Sequence, residues 1–440
     1  MASPVVTGLA KCPGDTQVVY TGPNSTHIGV YTSVIRGLEE VGVHTDLVVN
    51  RLIDVRRPWT IPNDLARAYW GPVRWARRRI RGKVVGPLPF HYRFKSVYAA
   101  ALAPVLSSRH SQRSPLIVHA RTDHMAEAVL RLRSRLPGMR VVAEFEGDLE
   151  MEVEYRLSKA GPRHRKALAG QLAHHREVTA RVLARSDAVL CVTQALKETF
   201  VRRFSFNGAA AQRIFVFPTF PSRREIHFDA HLRVRLRRQL GLQDRYAVLY
   251  LGNVSTPWQV PGNVVALFRE VQAVRTDAHL LVVTPLEERA IAQRLLRSNG
   301  LGQAEATSLS VDFEDVSGII SACDLGLALR ENHPMNLVAS PAKVSEYLLG
   351  GLPVVLSEGT GAFPSRLRHD RWAFFLRGVE LRNEERTGFM SFVSRDCPVD
   401  DRARWGTGNA GRFSLEEHIP ILLEAYGLGS ASPPPIAAAT

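Results

Sequence analysis

Two stretches of alternating strand and helix, divided by a charged interval, are what most limits the folds open to this chain. The first opens with "DTQVVYTGPNSTHIGVYTSVIRGLEEVGVHTDLVVN". It reads as a strand, a Gly/Pro/Asn/Ser turn, an amphipathic helix ended near Gly42 and a second strand. "PLIVHA" then gives a strand, "DHMAEAVLRLRSRL" a helix and "RVVAEFEG" a strand, and a long polar helical region runs from about Leu149 to Arg185. "DAVLCVT", "QALKETFVRRF" and "RIFVFPT" add strand, helix and short strand. Strands separated by helices in this rhythm predict a parallel, doubly wound α/β sheet.

The rhythm weakens over "PSRREIHFDAHLRVRLRRQLGLQD", which is rich in charge, and the domain boundary is placed there. It restarts with "YAVLYLGN" and runs through "AHLLVVTP", "TSLSVDF", "DLGLALR" and "PVVLS" as strands with helices between them. At 440 residues the chain exceeds the size at which one core stops growing, so two Rossmann-like domains are expected, residues 1–218 and 219–412. After Gly388 the pattern fades until "FSLEEHIPILLEAYGL", residues 413–428, which reads as one last helix capped by Ser414, with Glu417 completing a capping box. The tail 429–440 has a Pro, Ala and Ser composition that predicts disorder. Ligands of open parallel sheets bind beyond the carboxyl ends of the strands, and with two such sheets the expected site is the cleft between domains.

An apolar fraction of 45% and a charged fraction of 22% place the chain among soluble globular proteins. No apolar run approaches the roughly 18 residues of a membrane span, and "MASPVVTGLAKCPGD" lacks the features of a secretory signal, which predicts a cytoplasmic protein. Cys12, Cys191, Cys323 and Cys397 lie far apart, with no CxxC and no histidines paired at metal spacing, so neither a disulfide framework nor a zinc site is expected.

The net charge of +15 is uneven: residues 51–113 hold twelve Arg and two Lys against only Asp54 and Asp64. Within that interval the segment Arg67 to Lys83 interleaves Tyr69, Trp70 and Trp75 with basic residues. An anionic membrane surface, nucleic acid and a plain solvated face all suit such a pattern. No RNA or DNA motif accompanies it, so nucleic acid is not expected as a partner. The membrane surface and the solvated face both stay open.

The motif richest in chemistry is "SPAKVSEYLLGGLPVVLS", residues 340–357. Ser340 is a favoured N-cap, Pro341 suits the first helical position, and Gly350 or Gly351 supplies the stop. The helix N-terminus follows a strand, so its free N–H groups point to the carboxyl edge of the sheet, where an anion binds. Lys343 in the first turn adds charge to the same phosphate, and Glu346 one turn on can accept two ribose hydroxyls. The competing reading is an exposed Lys343–Glu346 pair worth a few tenths of a kcal/mol, roughly.

This segment resembles the nucleotide-sugar motif of the family-4 retaining glycosyltransferases of the GT-B fold, in the variant where Pro-x-Lys precedes the glutamate. The resemblance extends in order through "YTGPNSTHIGVYTSVIRGLEEVGVHTDLVV", "LIVHART", "VVAEFEGDLEMEVEYR", "DAVLCVTQALKETF", "RIFVFPTF", "YAVLYLGN" and "FSLEEHIPILLEAY". It implies an acceptor domain, a donor domain and a C-terminal helix crossing back to the first. It also implies a hexosyltransferase that retains anomeric configuration, with a nucleotide-sugar donor as co-substrate and no further cofactor. Glu346 would bind the donor ribose, and Ser340 and Lys343 the diphosphate. Gly252 and Asn253 match the glycine turn that approaches the phosphates, and Gly22 to His27 the corresponding loop of the first domain. Two departures stand out. Val338 occupies the position of an earlier glutamate, a contact Glu331 could supply instead, and the basic residues that usually follow the glycine turn are absent, leaving Lys343 and Arg330.

His119 and Arg121 end one strand and suit either a cleft pair or a structural contact, and Glu146 and Asp148 follow the next, as hydroxyl ligands or as a cap for the following helix. Lys343, Glu146 and His119 are thus the catalytic candidates. No D-x-D appears, and Asp312 and Asp315 read as a helix start, which suits a metal-free mechanism. Two alternatives keep the fold and change the function: a nucleotide-sugar-binding protein without transfer activity, and a sugar-nucleotide epimerase.

Overall fold

The computed structural model describes residues 17–22, 28–52, 79–81, 83–90, 95–110 and 115–429. They form two compact units, one holding the described residues up to Pro218 together with those from His418 onward, the other Thr219–Glu417.

The first unit is built on strands β1 (Gln17–Gly22), β2 (His44–Leu52), β3 (Val84–Phe90), β4 (Leu116–Arg121), β5 (Arg140–Phe145), β6 (Ala188–Cys191) and β7 (Ile214–Val216). They pair in the order β3-β2-β1-β4-β5-β6-β7, parallel throughout. The apolar runs of β4 and β6 are buried along their whole length, as a sheet covered on both faces requires. The long polar region is two helices, Leu149–Lys159 and Pro162–Arg185, the second opened by Gly161 and by Pro162, whose missing N–H costs nothing at a helix start.

The second unit carries β8 (Tyr246–Leu251), β9 (Ala278–Val283), β10 (Ala306–Leu309), β11 (Leu325–Ala328), β12 (Val354–Ser357) and β13 (Ala373–Leu376). Their order is β10-β9-β8-β11-β12-β13, again all parallel. Strand order reverses between β8 and β11, which makes their carboxyl ends the switch point where an open sheet binds its ligand. Both faces are apolar: Phe268, Val271 and Phe389 lie under one, Val344, Tyr347 and Leu348 under the other.

The charged interval after Pro218 folds into the second unit: its helix Ala230–Gln239 is N-capped by Asp229, and Arg233 and Arg237 pair with Asp324. Two expectations change. Two helices stand where the pattern faded, Asn383–Val393 and Val399–Phe413. Ser414 starts no helix: it ends the second of these, a 3-10 turn Leu415–His418 follows, and the last helix is Ile419–Tyr426 with His418 at its N-cap. Glu416 and Glu417 serve that turn, pairing with Ser222 and Arg223 rather than forming a capping box.

Candidate functional site

The helix Ala342–Leu349 packs on β8, β11 and β12 of the second unit. Tyr347 sets its depth: Gly326 in β11 has no Cβ to meet the ring, where one would lie 2.7 Å away, and the Tyr347 hydroxyl accepts the Leu251 N–H at 2.9 Å. The helix begins one residue later than expected. Pro341 is the N-cap residue with no side-chain cap bond, and half-buried Ser340 lies before it, so Ser340 leaves the N–H groups of the first turn uncapped. At the other end Gly351 takes the left-handed φ of +58° that closes the helix, with the Leu352 N–H bonded to Tyr347 O at 2.9 Å.

Lys343 and Glu346 are not the exposed pair of the competing reading. They are 9% and 8% exposed, and no ion pair joins them among the described residues. The Lys343 ammonium lies 4.3 Å over the Tyr250 ring and donates to Gln259 Oε1 at 2.9 Å. It also closes on the glycine turn, where a Cβ on Gly252 would lie 2.9 Å from Nζ and the φ of +127° suits glycine. Burial, and then the nearby Arg330 charge, pull Lys343 down to about 7 against the favourable pull of Glu346. Burial pushes Glu346 up to about 7, with Lys343 working the other way. The Glu346 carboxylate has no hydrogen-bond partner among the described residues. A buried cation with no carboxylate partner and a buried carboxylate with no donor, one helical turn apart, leave two opposite charges for a ligand to satisfy.

The loops around the helix are tightly set. Arg330 donates its N–H to Ser357 Oγ at 2.7 Å and receives the Ser357 hydroxyl on its carbonyl at 2.6 Å. Gly359 and Gly361 let the loop after β12 close on this one, since Cβ atoms there would lie 2.2 Å from Glu331 O and Ala339 O. Half-buried Arg330 and Glu331 thus follow β11 as Gly252 and exposed Asn253 follow β8, at the switch point. Val338 is buried at 4%, an apolar contact where the resemblance expects an acid.

The first-unit candidates are placed differently. His119 is completely buried, donating from Nε2 to Glu144 at 2.9 Å while Nδ1 accepts the Tyr426 hydroxyl at 2.8 Å. With both ring nitrogens engaged it has no atom free for catalysis, and it ties β4 to the last helix instead. Glu144 also accepts from Tyr20; burial opposes its charge, but Arg121, His119 and Tyr20 outweigh that and hold it down at about 2. Asp148 is the helix cap of its two readings: 2% exposed, it accepts the N–H groups of Glu150 and Met151 and pairs with Arg203 at 2.8 Å. Glu146 alone among these faces solvent, with a third of its side chain exposed and its carboxylate held by buried Arg121. Gly22 ends β1 beside Val49 of β2, and His27 lies outside the described residues, as do residues 67–78 and 82 of the basic segment.

No protein-family model matches this chain, and no curated protein matches it. Solved structures do. Sucrose-phosphate synthase from Thermosynechococcus elongatus aligns at a TM-score of 0.64 and 16% identity, over 94% of this chain and 100% of that one. HepE from Anabaena, in complex with UDP and glucose, aligns at 0.63 and 14% identity, over 93% and 100%. WaaG, a glycosyltransferase involved in lipopolysaccharide biosynthesis, aligns at 0.60 and 13% identity, over 94% and 100%. The chain has the GT-B fold. Identities this low speak to the fold alone.

Within this GT-B chain the sequence reading missed the groups that set the lysine. Gln259 and Tyr250 give no signal of their own, one in a short 3-10 turn and the other in an apolar strand. Glu288 was missed as well: its carboxylate accepts the Val254 and Ser255 N–H groups and the Ser255 hydroxyl, fixing the loop after the glycine turn from 33 residues away.

Proposed function

We propose that this protein is a glycosyltransferase that takes a nucleotide-sugar donor on its second unit and transfers the sugar with retention of configuration and without a metal ion. The observation that carries this reading is the buried, mutually unpaired Lys343 and Glu346 beside the Gly252 turn. Glu346 accepts hydrogen bonds from the ribose hydroxyls. Lys343, with the first-turn N–H groups of its helix, Ser340 and Arg330, stabilises charge on the departing diphosphate, where preorganised donors in a dry site act most strongly. Retention suits an acceptor hydroxyl that attacks on the face the diphosphate leaves, with its proton passing to that leaving group and no protein nucleophile required. Glu146, anchored by Arg121, is the first-unit carboxylate available to an acceptor hydroxyl. Sharing the fold of HepE, which is solved with UDP and glucose, supports the donor class.

The test is a panel of UDP-, GDP-, ADP- and dTDP-sugars, read by thermal shift and by nucleotide release. Stabilisation by one of them with slow release supports the reading, and stabilisation by none sinks it. A nucleotide that binds without sugar release or transfer would favour the second reading, a binding protein without transfer activity, to which the buried apolar Val338 points. Glu346→Ala is expected to weaken nucleotide binding by about 1–3 kcal/mol, the range for hydrogen bonds to a charged group. Calorimetric titration measures this directly, and unchanged affinity would remove the ribose contact.

The acceptor we propose is a glycan, a lipid-linked sugar or a small molecule, with the basic segment Arg67–Lys83 as a peripheral contact to an anionic membrane. Binding to anionic vesicles at low salt, lost when Arg77, Arg78, Arg79 and Arg81 become Gln, is the expected result. Wild-type protein that ignores such vesicles would leave the segment a solvated face.

A further inference from the structure

Spacing along the chain pairs no histidines, yet the fold gathers three donor groups in the first unit. Asp123 and His124 open the helix Asp123–Leu130, and His175 stands on the helix Pro162–Arg185. Their ligand atoms all lie within 4.8 Å of one another. His124 Nε2 is 3.1 Å from His175 Nδ1, close to the ~3.3 Å between two ligand atoms of a tetrahedral zinc with bonds of about 2.0–2.1 Å. Asp123 Oδ1 is 4.0 Å from His124 Nε2 and no pair among the three donors exceeds 4.8 Å, so the carboxylate has to close by on the order of 1–1.5 Å to reach the same geometry. We propose that Asp123, His124 and His175 bind a divalent transition metal of the zinc class, which clips the helix Asp123–Leu130 to the helix Pro162–Arg185.

The donor set fits that class. Two imidazoles and one carboxylate suit zinc and its neighbours rather than magnesium or calcium, and the fourth position is left to water. Asp123 and His124 are buried and His175 half-buried, so the donors are not simply solvated surface groups. Asp123 already has an outer shell: Oδ1 accepts the His124 N–H at 2.6 Å and Oδ2 the Thr179 hydroxyl at 3.3 Å. Facing each other at 3.1 Å, His124 Nε2 and His175 Nδ1 share one ring proton, so one of the two already presents its lone pair. When both facing nitrogens bind metal, the ring proton between them moves to the far nitrogen of its ring. Lys95 and Arg181 oppose a cation here, but both are bound to Glu127. The clip takes no part in the proposed transfer, so it stands or falls independently of it.

The experiment uses the full chain, stripped with a chelator, dialysed and titrated with Zn2+ and with Co2+. One equivalent of either metal is expected to bind, Co2+ with the intense visible bands of a tetrahedral site, and Zn2+ is expected to raise the melting temperature. His175→Ala, at the most exposed of the three positions, should weaken Zn2+ binding by about 100-fold or more, and Thr179→Val by about tenfold, as for an outer-shell partner. His174→Ala, next in sequence but outside the donor set, should leave the affinity unchanged. No stoichiometric metal on folded wild-type protein, or full affinity retained by folded His175→Ala, would overturn the proposal and leave a cluster of neutral buried histidines.

Discussion

Lys343→Met is expected to raise the melting temperature while cutting the proposed sugar transfer by about 100- to 1,000-fold, the loss typical when one preorganised donor to a developing anion is removed. Both effects have the same origin. The ammonium is 9% exposed and has an amide oxygen and an aromatic face for partners, but no carboxylate within ion-pair distance among the described residues. Burying it costs on the order of a few kcal/mol, which methionine of similar shape avoids. The pH dependence carries the sign. Lys343 in the folded protein titrates near 7, below its unfolded value of 10.5, so the unfolded chain binds more protons between those limits and stability rises with pH across them. Glu346 titrates near 7, above its unfolded value of 4.5, so the folded protein binds more protons in that interval and stability falls as pH rises to 7. Together they put the wild-type minimum of this contribution near pH 7. Binding in the proposed function follows the opposite logic, because there a nucleotide diphosphate needs the lysine charged and the ribose needs the glutamate charged. Affinity should therefore peak near pH 7, and Lys343→Met should remove the alkaline limb of that profile. A variant that melts no higher than wild type, or that transfers sugar at the wild-type rate, would show that the lysine is not held for a ligand.

Arg402→Met should destabilise the protein by about 3–5 kcal/mol, the range for removing one partner from a buried charged network. Arg402 is 1% exposed and donates to five carbonyls: Ile320, Ser321 and Cys323 at the end of the helix Phe313–Ala322, and Gly350 and Gly351 at the end of the helix that carries Lys343. Carbonyls at helix ends have no partner within their own helix, and the guanidinium satisfies two sets of them while complementing both dipoles. Burial, and then Arg233, bring its pKa down to about 10, so it stays charged at neutral pH. A urea titration measures the loss, and a midpoint within error of wild type would refute the double cap. Nucleotide binding should weaken as well, because the helix that presents Lys343 and Glu346 is held from its far end.

The elements that were legible share one property: their signal lies within a few residues of chain. Apolar runs of strand length and amphipathic helices between them gave the two parallel sheets, because burial on both faces of such a sheet leaves little freedom in composition. The strand Val84–Phe90 was hidden by Pro87 and Pro89 within the basic interval. The helix Val399–Phe413 was hidden by Gly406, Gly408 and Gly411, which lower helix propensity. One of those glycines explains why the helix forms regardless: a Cβ on Gly406 would lie 2.7 Å from Leu349 O, so its absence lets the two helices close and lets Arg402 reach the carbonyls.

The candidate site divides along the same line. The residues able to meet a diphosphate and a ribose were present in the motif, together with the glycines that end its helix. Whether Lys343 and Glu346 face water or the interior could not be read there, because a charged residue's burial depends on what covers it. That cover comes from Tyr250 and Gln259, more than 80 residues earlier in the chain, and the helix end is held by Arg402, some 50 residues later. The same holds for His119, Asp148 and the group Asp123, His124 and His175, whose partners sit on other strands and helices. The sequence by itself determined the two doubly wound sheets and the charge carried by the motif, since both are local properties of the chain. Only the tertiary structure decided which of those charges are buried, because desolvation is a property of the packed interior and not of any single segment.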